Sequence, residues 1–373
     1  MNPDLKFPLY AKASLVFIGL CAFIGMLFIA QRIIVPIIYS TIFAIVLTPI
    51  VDFFVRKGMN RVAAIAITLL LVIFSTILFI TLLSAQMMQF GDAFPKLIEK
   101  FQHLLDHSVT WASDNFHIST RKINLWIAEK NADILDGTSS AIGQTIINAG
   151  SILIVLVLIP VYTFMILYYQ PLLLEFIHKL FKSSDQNEVN EVLSATKKII
   201  RSYLVGLLLE AVIIATLNSA SLLILGIDYA ILLGVIGAIV NVIPYVGGIV
   251  AVALPMIIAL ATKPSASYCL LVLASYILIQ FTDNHYIIPK VVASKVKINA
   301  LVAIIVVLTG AALWGVPGMF LSIPLTAIIK VIFDHIESLK PWGYLLGDTM
   351  PPFLGMKSLF KQKLIINQLQ NTN

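Results

Sequence analysis

Polar side chains are scarce in this sequence, so the few inside apolar stretches are where chemistry can be done. Asn241, Gln280 and Asn284 each donate and accept hydrogen bonds, which suits a polyol or a carbonyl compound. Asp283, between Gln280 and Asn284, adds a carboxylate able to hold a proton or a cation, and Glu210 offers another from a separate segment. Such groups are costly at membrane depth and therefore informative. Each has a plainer alternative. Asp283 can be a helix-end carboxylate in interfacial water, and Glu210 can pair with Arg201 or Lys198 near the membrane surface. His285 and Tyr245 extend the polar set, although a lone histidine beside a proline-containing segment is more often structural than a proton shuttle. His103 and His107 fall four apart with Asp106 between them, which is a possible metal pair. Zinc sites want three or four ligands, so these read as surface histidines, and neither a metal nor a cofactor is expected.

Asn241 opens the octet Asn241-Val242-Ile243-Pro244-Tyr245-Val246-Gly247-Gly248, in the middle of apolar residues 229–261. That stretch is too long for one upright membrane helix of ~20 residues. Pro244 cannot continue the helix before it. Gly247 and Gly248 permit backbone angles that other residues avoid, and positive φ is expected at Gly247. The result is two half-helices meeting at a non-helical corner. Broken backbone is tolerated in a membrane only where it is buried in protein or lines a watery cavity. Pro244, Tyr245, Gly247 and Gly248 therefore join Asn241, Gln280 and Asn284 as candidate substrate-binding positions. Gly315 and Gly318 join them too, from a second break between apolar residues 301–313 and 320–333. The alternative is a pair of ordinary kinked spans. Two breaks joined by a polar-interrupted span favour re-entrant hairpins.

Composition places both breaks in a membrane. The chain of 373 residues is 59% hydrophobic and only 12% charged, with mean hydropathy +0.97. A soluble domain carries ~25% charged residues. The net charge of +6 would suggest nucleic acid in a soluble protein, but here the basic residues sit in short loops and orient the chain. Cys21 and Cys269 lie in apolar segments and imply neither disulfides nor a metal cluster. There is no phosphate-cradling Gly-x-x-x-x-Gly-Lys-Ser/Thr loop, no nucleophile elbow and no zincin pair, so an enzyme is not expected.

The fold class is all-α: a polytopic membrane protein with about eight transmembrane or re-entrant elements, two of them broken at Pro/Gly. Residues 1–88 hold the N-terminal spans, with a tight turn marked by Gln31, Arg32 and Pro36, and a basic loop at Arg56, Lys57 and Arg61. Residues 89–148 form an extracytoplasmic amphipathic helical segment, and 149–170 a span kinked at Pro160. Residues 171–202 are a basic cytoplasmic connection. Residues 203–335 are the core region with both broken hairpins, and 336–373 a cytoplasmic tail. Loop charge puts both termini in the cytoplasm of the cell (inner) membrane.

Several motifs together resemble a known family. They are Asn241-x-Ile-Pro-Tyr-Val-Gly-Gly, Gln280-x-x-Asp283-Asn284 with Pro289, and Gly315-x-x-Gly318-Met319 with Ile323-Pro324, preceded by Tyr203-x-x-Gly206 and Leu233-Gly234. This set is similar to that of the autoinducer-2 exporter family of multi-pass permeases. Ser294 and Ala300 depart from it, standing where the family usually has Gly and Pro. The resemblance implies a secondary carrier, not an ATP-driven pump, and a homo-oligomer of five copies. It also implies cargo among quorum-sensing furanones, sodium and protons in exchange, or other small molecules.

The preferred reading is an exporter of a small polar solute coupled to a proton or cation gradient. A sodium/proton antiporter is the alternative, and a non-transporting scaffold working through residues 84–144 is a third. The topology is directly testable with impermeant thiol reagents on intact cells. Cysteine at Ser119 is expected to react from outside and cysteine at Ser184 to stay protected. The reverse pattern would invert the orientation.

Overall fold

The computed structural model describes residues 8–116, 156–181, 186–243, 247–292 and 298–348. These are helical almost throughout, with one isolated bridge between Ile298 and Gly347. Helix α1 (Leu9–Ile29) and helix α2 (Gln31–Arg56) meet at Ala30 alone. Pro36, expected in the turn, lies inside α2 and is buried. Helix α2 stops where Gly58 takes φ 93°, the left-handed conformation that closes many helices. Asn60 then caps the next helix, its Oδ1 accepting from the Ala63 amide at 2.7 Å.

That helix, α3 (Arg61–Phe116), has 56 residues and is roughly 84 Å long, outrunning a ~30 Å hydrocarbon core. The outer segment expected over residues 89–148 is, as far as Phe116, a continuation of the third span. Ser84, Gln86 and Gln89 end the apolar run, but nothing in them ends a helix. Residues 117–155, with the second amphipathic stretch, lie outside the described residues, as do the side chains of His103 and His107.

Helix α4 (Leu156–Tyr168) and helix α5 (Gln170–Leu180) meet at a bend of 64°. The bend falls ahead of Pro171, whose ring suits the first turn of a new helix, while α4 runs through Pro160. Arg61 holds the bend, donating from Nη2 to Leu167 O and Gln170 Oε1, both at 2.9 Å.

Helix α6 (Gln186–Ile224) combines most of the expected cytoplasmic connection and the following span in 39 continuous residues. It is the element the others pack on. Helix α7 (Ala230–Asn241) returns antiparallel along it through a turn containing Gly226 (φ 66°) and Tyr229 (φ 58°). A Cβ on Gly234 would fall 2.6 Å from the Ser219 amide nitrogen. In a bilayer, where lipid is as apolar as leucine, such close packing of small residues is what joins helices.

Helix α8 (Gly247–Thr262) folds back along α7, since Gly237 faces Ala251 while Gly247 faces Asn241. The first break is therefore an antiparallel hairpin of half-helices. Pro244 and Tyr245, which come between the two half-helices in sequence, lie outside the described residues. After helix α9 (Ser267–Thr282) the chain continues as a π-helical segment, Asp283–Val292, with Pro289 inside it.

Helix α10 (Ala300–His335) is capped by Asn299, which accepts from the Val302 amide at 2.9 Å. Its 36 residues pass for one crossing by length, yet the chain reverses at Gly315, with φ 63° and ψ −143°. A Cβ on Gly318 would stand 2.7 Å from the Gly310 carbonyl carbon. In a straight helix those two residues would be roughly 12 Å apart. The second break is thus a second hairpin. A short 3-10 turn (Glu337–Leu339) and helix α11 (Lys340–Leu346) follow. Asn299 ties them back, Nδ2 donating to Leu345 O at 2.7 Å and Gly347 O at 3.1 Å. The expected tail is packed structure up to residue 348, and 349–373 lie outside the described residues.

No more than 28% of the most apolar window of α2, α3, α6 or α10 is buried. Outward faces so rich in Leu, Ile, Val and Phe suit lipid and not water. The protein is polytopic and all-α. The angles at Gly315 lie near a region populated almost only by glycine, where other residues are strained by ~1–3 kcal/mol. Gly315→Ala is expected to lower the thermal midpoint of the purified protein. Gly25→Ala, in open space on α1, should not. Equal midpoints would mean the reversal does not depend on glycine.

Candidate functional site

Asp283 is the only charged residue in the chain core with no exposure at all among the described residues. It stands where α9 passes into the π-helical segment, a widening of the backbone often found at functional sites. Asn241, the last residue of α7, donates from Nδ2 to Asp283 Oδ2 at 2.9 Å. Gln280 Nε2 approaches the same oxygen at 3.5 Å and Asn284 Oδ1 at 3.4 Å, both long. Asp283 Oδ1 is buried without a hydrogen-bond partner. A buried carboxylate oxygen without a donor is rare and demands an explanation.

The glycines of the octet make this contact possible, for a reason different from the one expected. Positive φ among described glycines occurs at Gly58, Gly226 and Gly315, so Gly247 is not strained. Its role is proximity: a Cβ there would fall 2.6 Å from Asn241 Cα, at the hairpin neck. A Cβ on Gly248 would stand 2.7 Å from Gln280 Cδ, so Gly248 is what lets Gln280 reach in.

Glu210 on α6 is also buried, at 5% exposure, and lies within electrostatic reach of Asp283. Arg201 and Lys198 are exposed and make no ion pair with it. Asn218 and Tyr276, which the sequence reading did not single out, complete the polar interior. Both come close to the Cβ position of Gly237, at 3.2 Å for Asn218 Nδ2 and 3.6 Å for the Tyr276 hydroxyl. Asn218 Oδ1 and the Tyr276 hydroxyl are, like Asp283 Oδ1, buried without partners. Their place within apolar helices was the available signal.

Asn284 is exposed and joins the cluster only through its long contact with Gln280. Other expected members lie apart. His285 is exposed, stacked on Phe281 at 4.1 Å and bonded through Nδ1 to Phe281 O at 2.9 Å. Gly315 and Gly318 belong to the second reversal, which is anchored to the N-terminal helices and not to Asp283. Trp314 Nε1 donates to Leu27 O and the Tyr39 hydroxyl to Pro317 O, each at 3.1 Å. Both hairpins reach one apolar cluster on α6, where Val242, Phe320 and Ile323 pack around Tyr203 and Leu207 together with Ile288 and Val291 of the π-helical segment.

Residues 14–338 match the family model described as AI-2E family transporter. The chain belongs to the AI-2E transporter family. YrrI of Bacillus subtilis (strain 168) is 24% identical over 320 residues, covering 84% of this chain and 89% of that one. The "AI-2 transport protein TqsA" of Escherichia coli (strain K12) is 25% identical over 334 residues, covering 86% of this chain and 90% of that one. AI-2E membership makes this a membrane transport protein, and the matched region takes in both hairpins and the polar cluster.

The two octet glycines separate by what they would strike. Gly247→Ala meets backbone and is expected to open the hairpin neck, reducing both transport and thermal stability. Gly248→Ala meets the end of a flexible side chain, so it should fold normally and lose transport by displacing Gln280. A stable, active Gly247→Ala protein would show that the close neck is dispensable.

Proposed function

We propose that this AI-2E family member is a secondary active exporter of a small polar solute, driven by a proton or cation gradient through Asp283. The observation that carries this reading is Asp283 itself. It is fully buried, bonded on one oxygen by Asn241 and unpartnered on the other. Such a carboxylate can take up an ion or a proton in one state of the carrier and release it in another. Asn241 belongs to one half-helix hairpin and Asp283 to the π-helical segment, so occupancy of the carboxylate bears directly on how these elements pack. The solute would be held by Asn241, Gln280, Asn218 and Tyr276, with the unpartnered oxygens as its natural contacts. A quorum-sensing furanone, which the resemblance implies, has hydroxyl and carbonyl groups of matching chemistry.

Sodium/proton antiport is the second reading, favoured by one observation: Glu210 is buried within reach of Asp283. Two acids near one another suit a site that exchanges cations, and no organic solute is then needed. The family match favours either transporter over a scaffold. The carrier would act as a homo-oligomer of five copies in the inner membrane, with both termini cytoplasmic.

Counterflow in proteoliposomes, with labelled furanone, polyol and sodium, distinguishes the readings. Asp283→Asn keeps the side chain's shape but removes its charge. It is expected to abolish uphill transport while leaving solute exchange at equal pH. Uphill transport at the parental rate would move the coupling role to Glu210. Sodium flux without solute flux would establish antiport.

A further inference from the structure

A cleft of about 980 Å³ opens between α2, the start of α5, the first half of α6 and the end of the π-helical segment. Its charged lining is one-sided. Arg56, Lys197, Lys198, Arg201 and Lys290 face it, against a single acid, Asp52. None of these five cations forms an ion pair with a described residue. Elsewhere in the protein the basic side chains do find partners where acids are near, as Lys330 does with Asp334 at 2.5 Å.

The preference for positive charge on the cytoplasmic side accounts for the side of the membrane these residues occupy. It does not account for their convergence on one cleft. Lys197, Lys198 and Arg201 lie inside α6, and Lys290 comes from a segment far away in sequence. Three separate elements thus bring like charges to one opening, where they repel one another unless an anion is present. Two of the cations are guanidiniums, whose planar fork matches a phosphoryl group with paired hydrogen bonds. Thr48, Ser202 and Gln170 line the same cleft and add neutral hydrogen-bonding groups.

We infer that this cleft is a binding site for a phosphate group, presented either by a soluble organic phosphate or by an anionic lipid headgroup. Neither the buried cluster around Asp283 nor its coupling role enters the argument. Binding here is independent of the carrier reading and is measured without a gradient.

The purified full-length protein is titrated with inorganic pyrophosphate in detergent by calorimetry, and with cardiolipin against phosphatidylcholine in nanodiscs. Arg201→Gln and Lys290→Gln, both at exposed positions, are compared with Lys263→Gln, a control outside the cleft. Pyrophosphate is expected to bind, more weakly as salt rises, and each cleft variant to lose affinity roughly tenfold. The control should bind like the parent. If cardiolipin binds with this variant pattern and pyrophosphate does not, the phosphate group comes from lipid. The proposal is overturned if neither probe binds, or if the control loses as much affinity as the cleft variants. Size-exclusion profiles report whether each variant keeps its assembly, and the two cleft variants are read separately.

Discussion

The structure depends on satisfying one buried carboxylate. A charge removed from water inside a protein costs several kcal/mol unless it is paired and hydrogen-bonded. Asp283 obtains its close hydrogen bond from Asn241, across the boundary between two elements of the core. For that amide to arrive, α7 must end at Asn241 and not continue. For Gln280 to approach the same oxygen, residue 248 must lack a side chain. For α7 to lie where it does, Gly234 must let it press onto Ser219 of α6. The chain's small residues and its polar residues are therefore parts of one constraint: the first give the distance that the second require.

The second hairpin meets a different requirement with the same means. Its reversal at Gly315 leaves peptide groups outside the regular helix ladder, and unsatisfied peptide groups are expensive away from water. Gly310 and Gly318 press together, and Ser322 donates back to Gly318 O at 2.6 Å. Trp314 and Tyr39 then bind this corner to α1 and α2. The corner of the second hairpin is thus tied to the N-terminal helices, while the helices of both hairpins pack on α6. The surface they meet there is apolar and built around Tyr203 and Leu207. Packed interfaces of this kind tend to have discrete alternatives instead of deforming continuously, which is the mechanical property an alternating carrier needs.

Much of this was legible in the residues. Pro244 with Gly247 and Gly248, and Gly315 with Pro317, locate both reversals, because helix breakers inside apolar stretches have few other uses. Asn241, Gln280 and Asp283 stand out by being polar where polarity is costly. What escaped the sequence was whatever depends on distance. The importance of Gly247 reads as a matter of φ, but it is a matter of what lies across the neck. Asn218 and Tyr276 lie 58 residues apart in sequence, and both come close to the space that Gly237 leaves open. Helix ends were misread for a related reason. Apolarity stops near residue 84 and starts near 202, whereas α3 and α6 run well past those points. Hydropathy marks where lipid ends, and hydrogen bonding decides where a helix ends.

Helix α6 carries both signs of charge, and their order along it sets the field an ion would meet between them. Lys197, Lys198 and Arg201 stand at the cleft, Gly206 and Leu209 form its inner wall, and Glu210 lies just beyond, buried. From Lys197 to Glu210 the helix rises roughly 20 Å. An anion is favoured at the outer end of that interval and opposed at the inner end whenever Glu210 and Asp283 are ionised. A cation meets the opposite field. A neutral polar solute crosses the interval with little electrostatic work in either direction. An anionic one would need its charge offset on reaching the two acids, and a cation held between Asp283 and Glu210 would offset it. On the proposed carrier reading, a cation bound there would screen an anionic solute as well as drive it.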